Sequence, residues 1–170
     1  MKLTELFLGE LEREGKSTRK VLERVPEGQD SWKPHPKSME LGYLAQMVAT
    51  MFAWVDMTVN QDFIDFNPPD GKRFAPPSTK TNKELLAAFD ASLEKARAAL
   101  KSTNEAHLMT NWQFRSGGKV LNEQPRYQVL RDGVLNHLAH HRGQLTVYLR
   151  LNEKPVPSVY GPTADEKPWG

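Results

Sequence analysis

His137 and His141 stand four residues apart in Leu135-Asn136-His137-Leu138-Ala139-His140-His141-Arg142-Gly143-Gln144-Leu145. At helical pitch that spacing puts both imidazoles one turn apart on a single face. The face is apolar: Leu130, Val134, His137, Leu138, His141, Leu145 and Tyr148 recur in steps of three and four, while His140 and Arg142 point elsewhere. Two imidazoles so placed can hold one metal ion between them, because imidazole is a common nitrogen ligand for zinc, nickel and iron. They supply only two ligands. The competing reading is a pair of core histidines that bond to backbone and do no more.

The rest of the chain must position that pair. From Lys2 to about Val25, the residues Leu3, Phe7, Leu11, Thr18, Val21 or Leu22, and Val25 keep a helical spacing, with Glu and Lys on the other side, and Pro26-Glu27-Gly28 ends the run. Trp32, Pro34, His35 and Pro36 mark a loop, in which His35 is expected at the surface. Ser38 is read as the N-cap of a second helix with Glu40 in its first turn, and Leu41, Leu44, Ala45, Val48, Phe52, Val55 and Val59 form its buried stripe. Met47, Met51 and Trp54 lie at the margin of that stripe, where methionine ordinarily fills gaps in a core.

Between Asn60 and Ser78, five of the residues are Pro68, Pro69, Gly71, Pro76 and Pro77, interspersed with Phe63, Phe66 and Phe74. So long a connection suggests the cover of a binding site or a crossover. Thr81-Asn82-Lys83-Glu84 is a capping-box pattern that opens a third helix to about Ser102 through Leu85 or Leu86, Phe89, Leu93, Ala96 and Leu100. Trp112-Gln113-Phe114 followed by Gly117-Gly118 suits a turn or short ribbon, with His107 expected to be exposed. Pro125 starts a fourth helix that runs to about Leu151 or Asn152, and the tail from Lys154 to Pro162 returns over the bundle in extended form. Four amphipathic helices without a strong strand pattern predict an all-α four-helix bundle, a single domain over 1–170, with a long loop after helix 2.

Composition narrows the partners. The chain has 170 residues, with 23 basic and 21 acidic side chains mixed along it for a net charge of +2, so no basic stripe suited to nucleic acid is present. There is no cysteine, hence no disulfide, thiolate metal site or cysteine nucleophile. The opening Met1-Lys2-Leu3-Thr4-Glu5-Leu6-Phe7 runs into Glu10, Glu12, Arg13 and Glu14 and lacks the apolar core of a signal peptide, and no run of apolar residues is long enough for a membrane span. A cytoplasmic protein is expected.

At this point the chain resembles the DinB-like family of four-helix-bundle proteins, which includes transferases that act with mycothiol or bacillithiol. The likeness covers nearly the whole sequence. It is carried by Val134-Leu135-Asn136-His137 through His140-His141-Arg142-Gly143-Gln144-Leu145, by Tyr148-Leu149-Arg150, by Pro155-Val156-Pro157 and Tyr160-Gly161-Pro162-Thr163-Ala164-Asp165-Glu166, and by the earlier Trp32 to Met39 and Leu41-Gly42-Tyr43-Leu44-Ala45. The resemblance implies a divalent metal, nickel or zinc, held by three histidines, one from the second helix and two from the fourth. His137 and His141 match the fourth-helix pair. The second-helix position falls in Leu44-Ala45-Gln46-Met47, where Met47 stands in place of histidine. A thioether favours copper(I) over zinc or nickel, and Gln46 reaches the position only if the helix turns by about 100°.

Two readings follow. In the first, the protein is a metal-dependent transferase or hydrolase with His137 and His141 as ligands, an unknown thiol cosubstrate, and Met47, Trp54 and Tyr148 around the pocket; Asp56 and His35 are the other candidates to complete the set. In the second, it is a metal-free, non-catalytic bundle that binds a small ligand or acts as an interaction module, with Met47 filling the space of a ligand group. The resemblance also implies a homodimer, for which Met51, Trp54 and Met57 are candidate contacts.

Overall fold

The computed structural model describes residues 2–69, 71 and 79–167. Helix α1 spans Leu3–Leu22 and buries Phe7, Leu11, Thr18, Val21 and Leu22 along one stripe. Helix α4, Asn82–Ser102, opens with the capping box read in the sequence: the Thr81 hydroxyl accepts from the Glu84 amide and the Glu84 carboxylate accepts from the Thr81 amide. It packs along α1 through Leu85, Phe89, Leu93, Ala96 and Leu100. Gly15 lies where the two helices come closest, since a Cβ there would meet the Leu93 side chain at 3.2 Å.

The second helix starts later than its sequence suggested and is broken. Helix α2 spans Leu41–Thr50, with Glu40 rather than Ser38 at its N-cap; Ser38 belongs to a turn of the preceding loop, its amide donating to the His35 carbonyl, and the Leu41 and Gly42 amides are met by the Trp32 and Asp30 carbonyls. After Met51 and Phe52 the chain restarts as α3, Ala53–Asn60, and the Ala53 amide freed by the break donates to Ser92 Oγ on α4 at 2.9 Å. Its predicted stripe is nonetheless buried throughout, from Leu41 to Val59, so the break tightens one turn without rotating the face.

The all-α expectation is overturned by a three-stranded mixed sheet. Strand β1, Phe63–Asp65, pairs in parallel with β2, Asn111–Ser116, which pairs antiparallel with β3, Lys119–Pro125. The turn between β2 and β3 is Gly117-Gly118, both at positive φ, the conformation a two-residue hairpin loop requires. Opposite charges clamp the two ends of the sheet. At one end the Asp65 carboxylate accepts the amides of Gly117 at 3.0 Å and Gly118 at 2.7 Å. At the other, the buried Arg126 guanidinium donates to Thr110 Oγ1, the Asn111 carbonyl and Asp62 Oδ1, each at 2.7 Å, and to the Gln61 carbonyl at 3.1 Å. Part of the predicted connection after the second helix, Asp70 and residues 72–78 including Phe74, lies outside the described residues. A short helix α5, Glu105–Leu108, precedes β2, and its His107 is half-buried with Nε2 donating to the Val59 carbonyl at 2.8 Å, against the exposure expected of it.

The last helix begins as α6, Arg126–Gln128, widens into a π-helical segment over Val129–Asn136, and continues as α7, His137–Leu151. Its buried residues are Val129, Leu130 and Val134, so Val129 joins the face that the three-and-four pattern continues from Leu130. In α7, Arg142 is fully buried. Its Nη2 pairs with Glu14 Oε2 at 2.7 Å, its Nη1 donates to Thr18 Oγ1 at 2.9 Å, and Tyr160 from the tail donates its hydroxyl to the same Glu14 oxygen while accepting from Arg142. The tail runs without helix or strand, and ion pairs of Arg24 with Glu166 and Arg150 with Asp165 hold it. Asp165 and Glu166 in turn accept the Val156 and Ser158 amides at 2.7 and 2.9 Å.

Removing one member of a buried ion pair strands the other charge in the core, at a cost of roughly 3–5 kcal/mol. Glu14→Gln is therefore expected to lower the midpoint of thermal unfolding by roughly 6–12 °C or more. Arg13→Gln, which removes a solvent-exposed partner of Glu10, is expected to leave the midpoint nearly unchanged; equal effects of the two substitutions in urea unfolding would contradict the role given to Arg142. The tail has a pH signature of its own. Bonding to Arg150 holds Asp165, and bonding to Arg24 holds Glu166, below their ordinary carboxylate values. A lowered folded value contributes stability above the unfolded pKa and loses it as pH falls through the folded one. Protection of the Val156 and Ser158 amides should thus be intact at neutral pH and be lost only below about pH 4, which amide exchange across an acid titration would read.

Candidate ligand site and histidine pair

The π-helical segment delivers His137 and His141 to the start of α7 in a single stack. Their Nε2 atoms lie 2.8 Å apart, with ring centroids 4.5 Å apart. His141 is buried and its Nδ1 donates to Gln144 Oε1 at 2.8 Å, while Gln144 Nε2 faces the exposed His140 Nε2 at 3.1 Å. That arrangement commits the one N–H of a neutral His141 to Gln144, leaving its Nε2 to face His137, whose ring also bonds the Gly133 backbone. Burial lowers the pKa of both histidines; the neighbouring imidazole adds to this at His137, and the Gln144 bond opposes it at His141. Both are neutral near pH 7.

His137 also forms the edge of a cavity of about 570 Å³ between the helices and the sheet. Trp54 of α3 packs against His137 with ring centroids 5.5 Å apart, and Met57 and Thr58 follow on the same helix wall. The sheet supplies the opposite wall: Ile64 beside β2, Trp112 and Phe114 on β2, and Phe66 stacked on Phe114 at 4.2 Å. The widened turn closes the floor with Val129, Gly133 and Val134, and Asp132 at the rim is engaged by Arg131 and Asn136 at 2.9 and 3.0 Å.

Of the residues singled out from the sequence, Trp54 and His137 meet in this cavity and His141 lies directly behind His137. Met57 faces the same cavity, and Met51 is fully buried in the core. Met47 is half-buried against the core without lining the cavity, and Tyr148 is elsewhere: its hydroxyl donates to the Met39 carbonyl at 3.1 Å and its ring meets Trp32 edge-on. His35 accepts the Lys37 amide in its surface loop, and Asp56 accepts from Asn60 on the exposed side of α3. The residues of the sheet wall, Trp112, Phe114, Asn122 and Gln124, carried only the signal of the Gly117-Gly118 turn.

The divalent metal implied by the resemblance can be weighed against these donors. Two neutral imidazoles with converging Nε2 atoms are suitable ligands, but a tetrahedral zinc would hold them roughly 3.3 Å apart at Zn–N distances of about 2.05 Å, half an ångström wider than the 2.8 Å seen. No group of three His, Asp or Glu side chains able to hold a metal gathers among the described residues. The thioether of Met47 is a poor donor to nickel or zinc. The set does not fit such an ion, and no chemistry is derived through one.

Helices packed around a histidine pair, with a mixed sheet over one end, define a helical class of fold with a small sheet. Residues 10–145 match the family model of the DinB superfamily, and the chain belongs to that superfamily. Its fold is similar to that of a DinB-like protein from Bacillus cereus, at 24% identity over 92% of this chain and 97% of the other, with a TM-score of 0.72. A DinB-like protein from Bacillus subtilis is similar at 20% identity over 91% of this chain and 97% of that one, with a TM-score of 0.66. No curated protein matches the chain.

Restoring a third imidazole at residue 47 should change the outcome for metals. Calorimetric titration with nickel or zinc is expected to show Met47→His binding at least about a hundredfold tighter than the native chain, roughly 2.7 kcal/mol; native binding as tight as the variant's would mean that another group completes the sphere.

Proposed function

We propose that this chain is a small-molecule-binding member of the DinB superfamily, acting in the cytoplasm without a resident metal. The observation that carries the reading is the aromatic-walled cavity of about 570 Å³ with the His137 imidazole at its edge. Its volume falls within the range of small-ligand sites, and its few polar groups among many apolar ones match their usual make-up. The histidine pair supports the same reading, because a neutral His137 held by His141 offers a fixed polar point in an otherwise greasy wall. The short donor set around that pair favours binding over metal-assisted turnover. The absence, among the described residues, of any helix long and apolar enough to cross a membrane accords with a cytoplasmic setting.

The test uses N-phenylnaphthylamine, whose emission rises in apolar surroundings. The native protein is expected to bind one dye per chain. Ile64→Trp, which adds bulk into the cavity from β1, is expected to abolish binding while keeping the unfolding midpoint within a few degrees. Undiminished dye binding in that variant would sink the reading.

A further inference from the structure

We infer that the cavity takes a planar nitrogen heterocycle that presents adjacent hydrogen-bond donor and acceptor atoms on one edge, as a lactam does. The inference rests on the ligand-site reading above and draws on a different wall, the inward face of β3.

Cross-strand register puts Gln124 opposite Trp112 and Asn122 opposite Phe114, so two carboxamides share the inner face of the hairpin with two aromatic rings. Both line the cavity, Gln124 half-buried and Asn122 at its mouth. Inward positions of a strand are ordinarily apolar, and a polar group there costs stability unless it is bonded. Among the described residues neither carboxamide has a hydrogen-bond partner. The outer face of the same hairpin behaves differently: Asn111 and Gln113 both donate to Glu123, at 2.9 and 2.5 Å, and Arg115 donates to Gln113. Unpaired amides are thus confined to the cavity side.

A primary carboxamide offers one acceptor and two donors in a plane, and its natural complement is a flat edge with a donor beside an acceptor. Phe66 and Phe114, tilted 31° to each other, and Trp112 beyond them provide faces against which such a ring system can pack. Charge selects further. No cationic side chain lines the cavity among the described residues, and the Asp132 carboxylate stands at its rim, so a carboxylate or phosphate ligand meets no counter-charge.

Three bicyclic probes of nearly equal size separate these features: carbostyril, which carries the lactam edge, naphthalene, which carries none, and naphthoate, which carries an anion. Displacement of N-phenylnaphthylamine from the full chain is expected to rank carbostyril about tenfold tighter than naphthalene, with naphthoate weakest. In Gln124→Leu the carbostyril advantage should vanish while naphthalene binds as before or better, which also shows that the variant has kept its cavity. Asn122→Leu is expected to reduce the advantage in part. Equal affinity of carbostyril and naphthalene in the native chain, tightest binding of naphthoate, or an advantage unchanged in Gln124→Leu would each overturn the inference while leaving the cavity a ligand site. Failure of all three probes to displace the dye would overturn the inference alone, whereas failure of the dye itself to bind would overturn the ligand-site reading with it.

Discussion

A guanidinium cannot be left in a protein core without an anion, and that requirement fixes the last helix in place. Arg142 reaches Glu14 and Thr18 on α1 and Tyr160 in the tail, so one side chain ties together three parts of the chain far apart in sequence. It also sets the rotation of α7 about its axis. His141 precedes Arg142 by one residue, about 100° around the helix. With Arg142 directed at α1, His141 is directed toward its partner on the other flank. Both flanks are buried, which is why α7 tolerates water on so narrow an arc. The widened turn before it reconciles this phase with Val129, Leu130 and Val134, which must face the core and the cavity floor.

The sheet depends on the same kind of constraint. Three strands of three to seven residues bury little and would fray alone. The Arg126 fork at one end and the Asp65 carboxylate at the other convert them into a fixed wall, since each charge satisfies several backbone or hydroxyl groups at once. A cavity of this size persists because its walls are stiffened from outside rather than filled from within. The unpaired carboxamides of β3 sit on the inner surface of that wall, where their orientation is set by strand register and not by bonds to neighbours.

How much of this was legible in the sequence follows from where each signal resides. The helices were legible because their stripes are periodic and their ends carry local chemistry, as in the Thr81 to Glu84 capping box and the Pro26-Glu27-Gly28 stop. The histidine pair was legible for the same reason: spacing of four within an apolar face is a local fact. The sheet was not. β1 is three residues long and gains its meaning only from a parallel partner some fifty residues away, and β3 places Asn122 and Gln124 where alternation would call for apolar side chains. Arg142 was assigned to no buried role because a charged residue next to an apolar stripe ordinarily faces solvent; its partner Glu14 looks equally solvent-facing on its own helix. Each of the two is intelligible only in the presence of the other. His107 escaped for a related reason, since the carbonyl it bonds belongs to the last turn of α3, far away in sequence.

Met47 stands where the resemblance implies histidine, and the histidine pair is bonded within the fold. A bound metal adds its binding free energy to the folded state alone, so a superfamily member without one must find stability elsewhere. Here the two imidazoles bond to each other and to Gln144, which satisfies the buried ring nitrogens without a cation. The charge that the core does contain is Arg142, matched by Glu14 one flank away. Held by His141 on one side and packed on Trp54 on the other, His137 forms part of the cavity wall. On the proposed ligand-site reading, recognition falls to the sheet, where a β-strand can carry polar atoms inward at every second residue in a way that a helix stripe cannot.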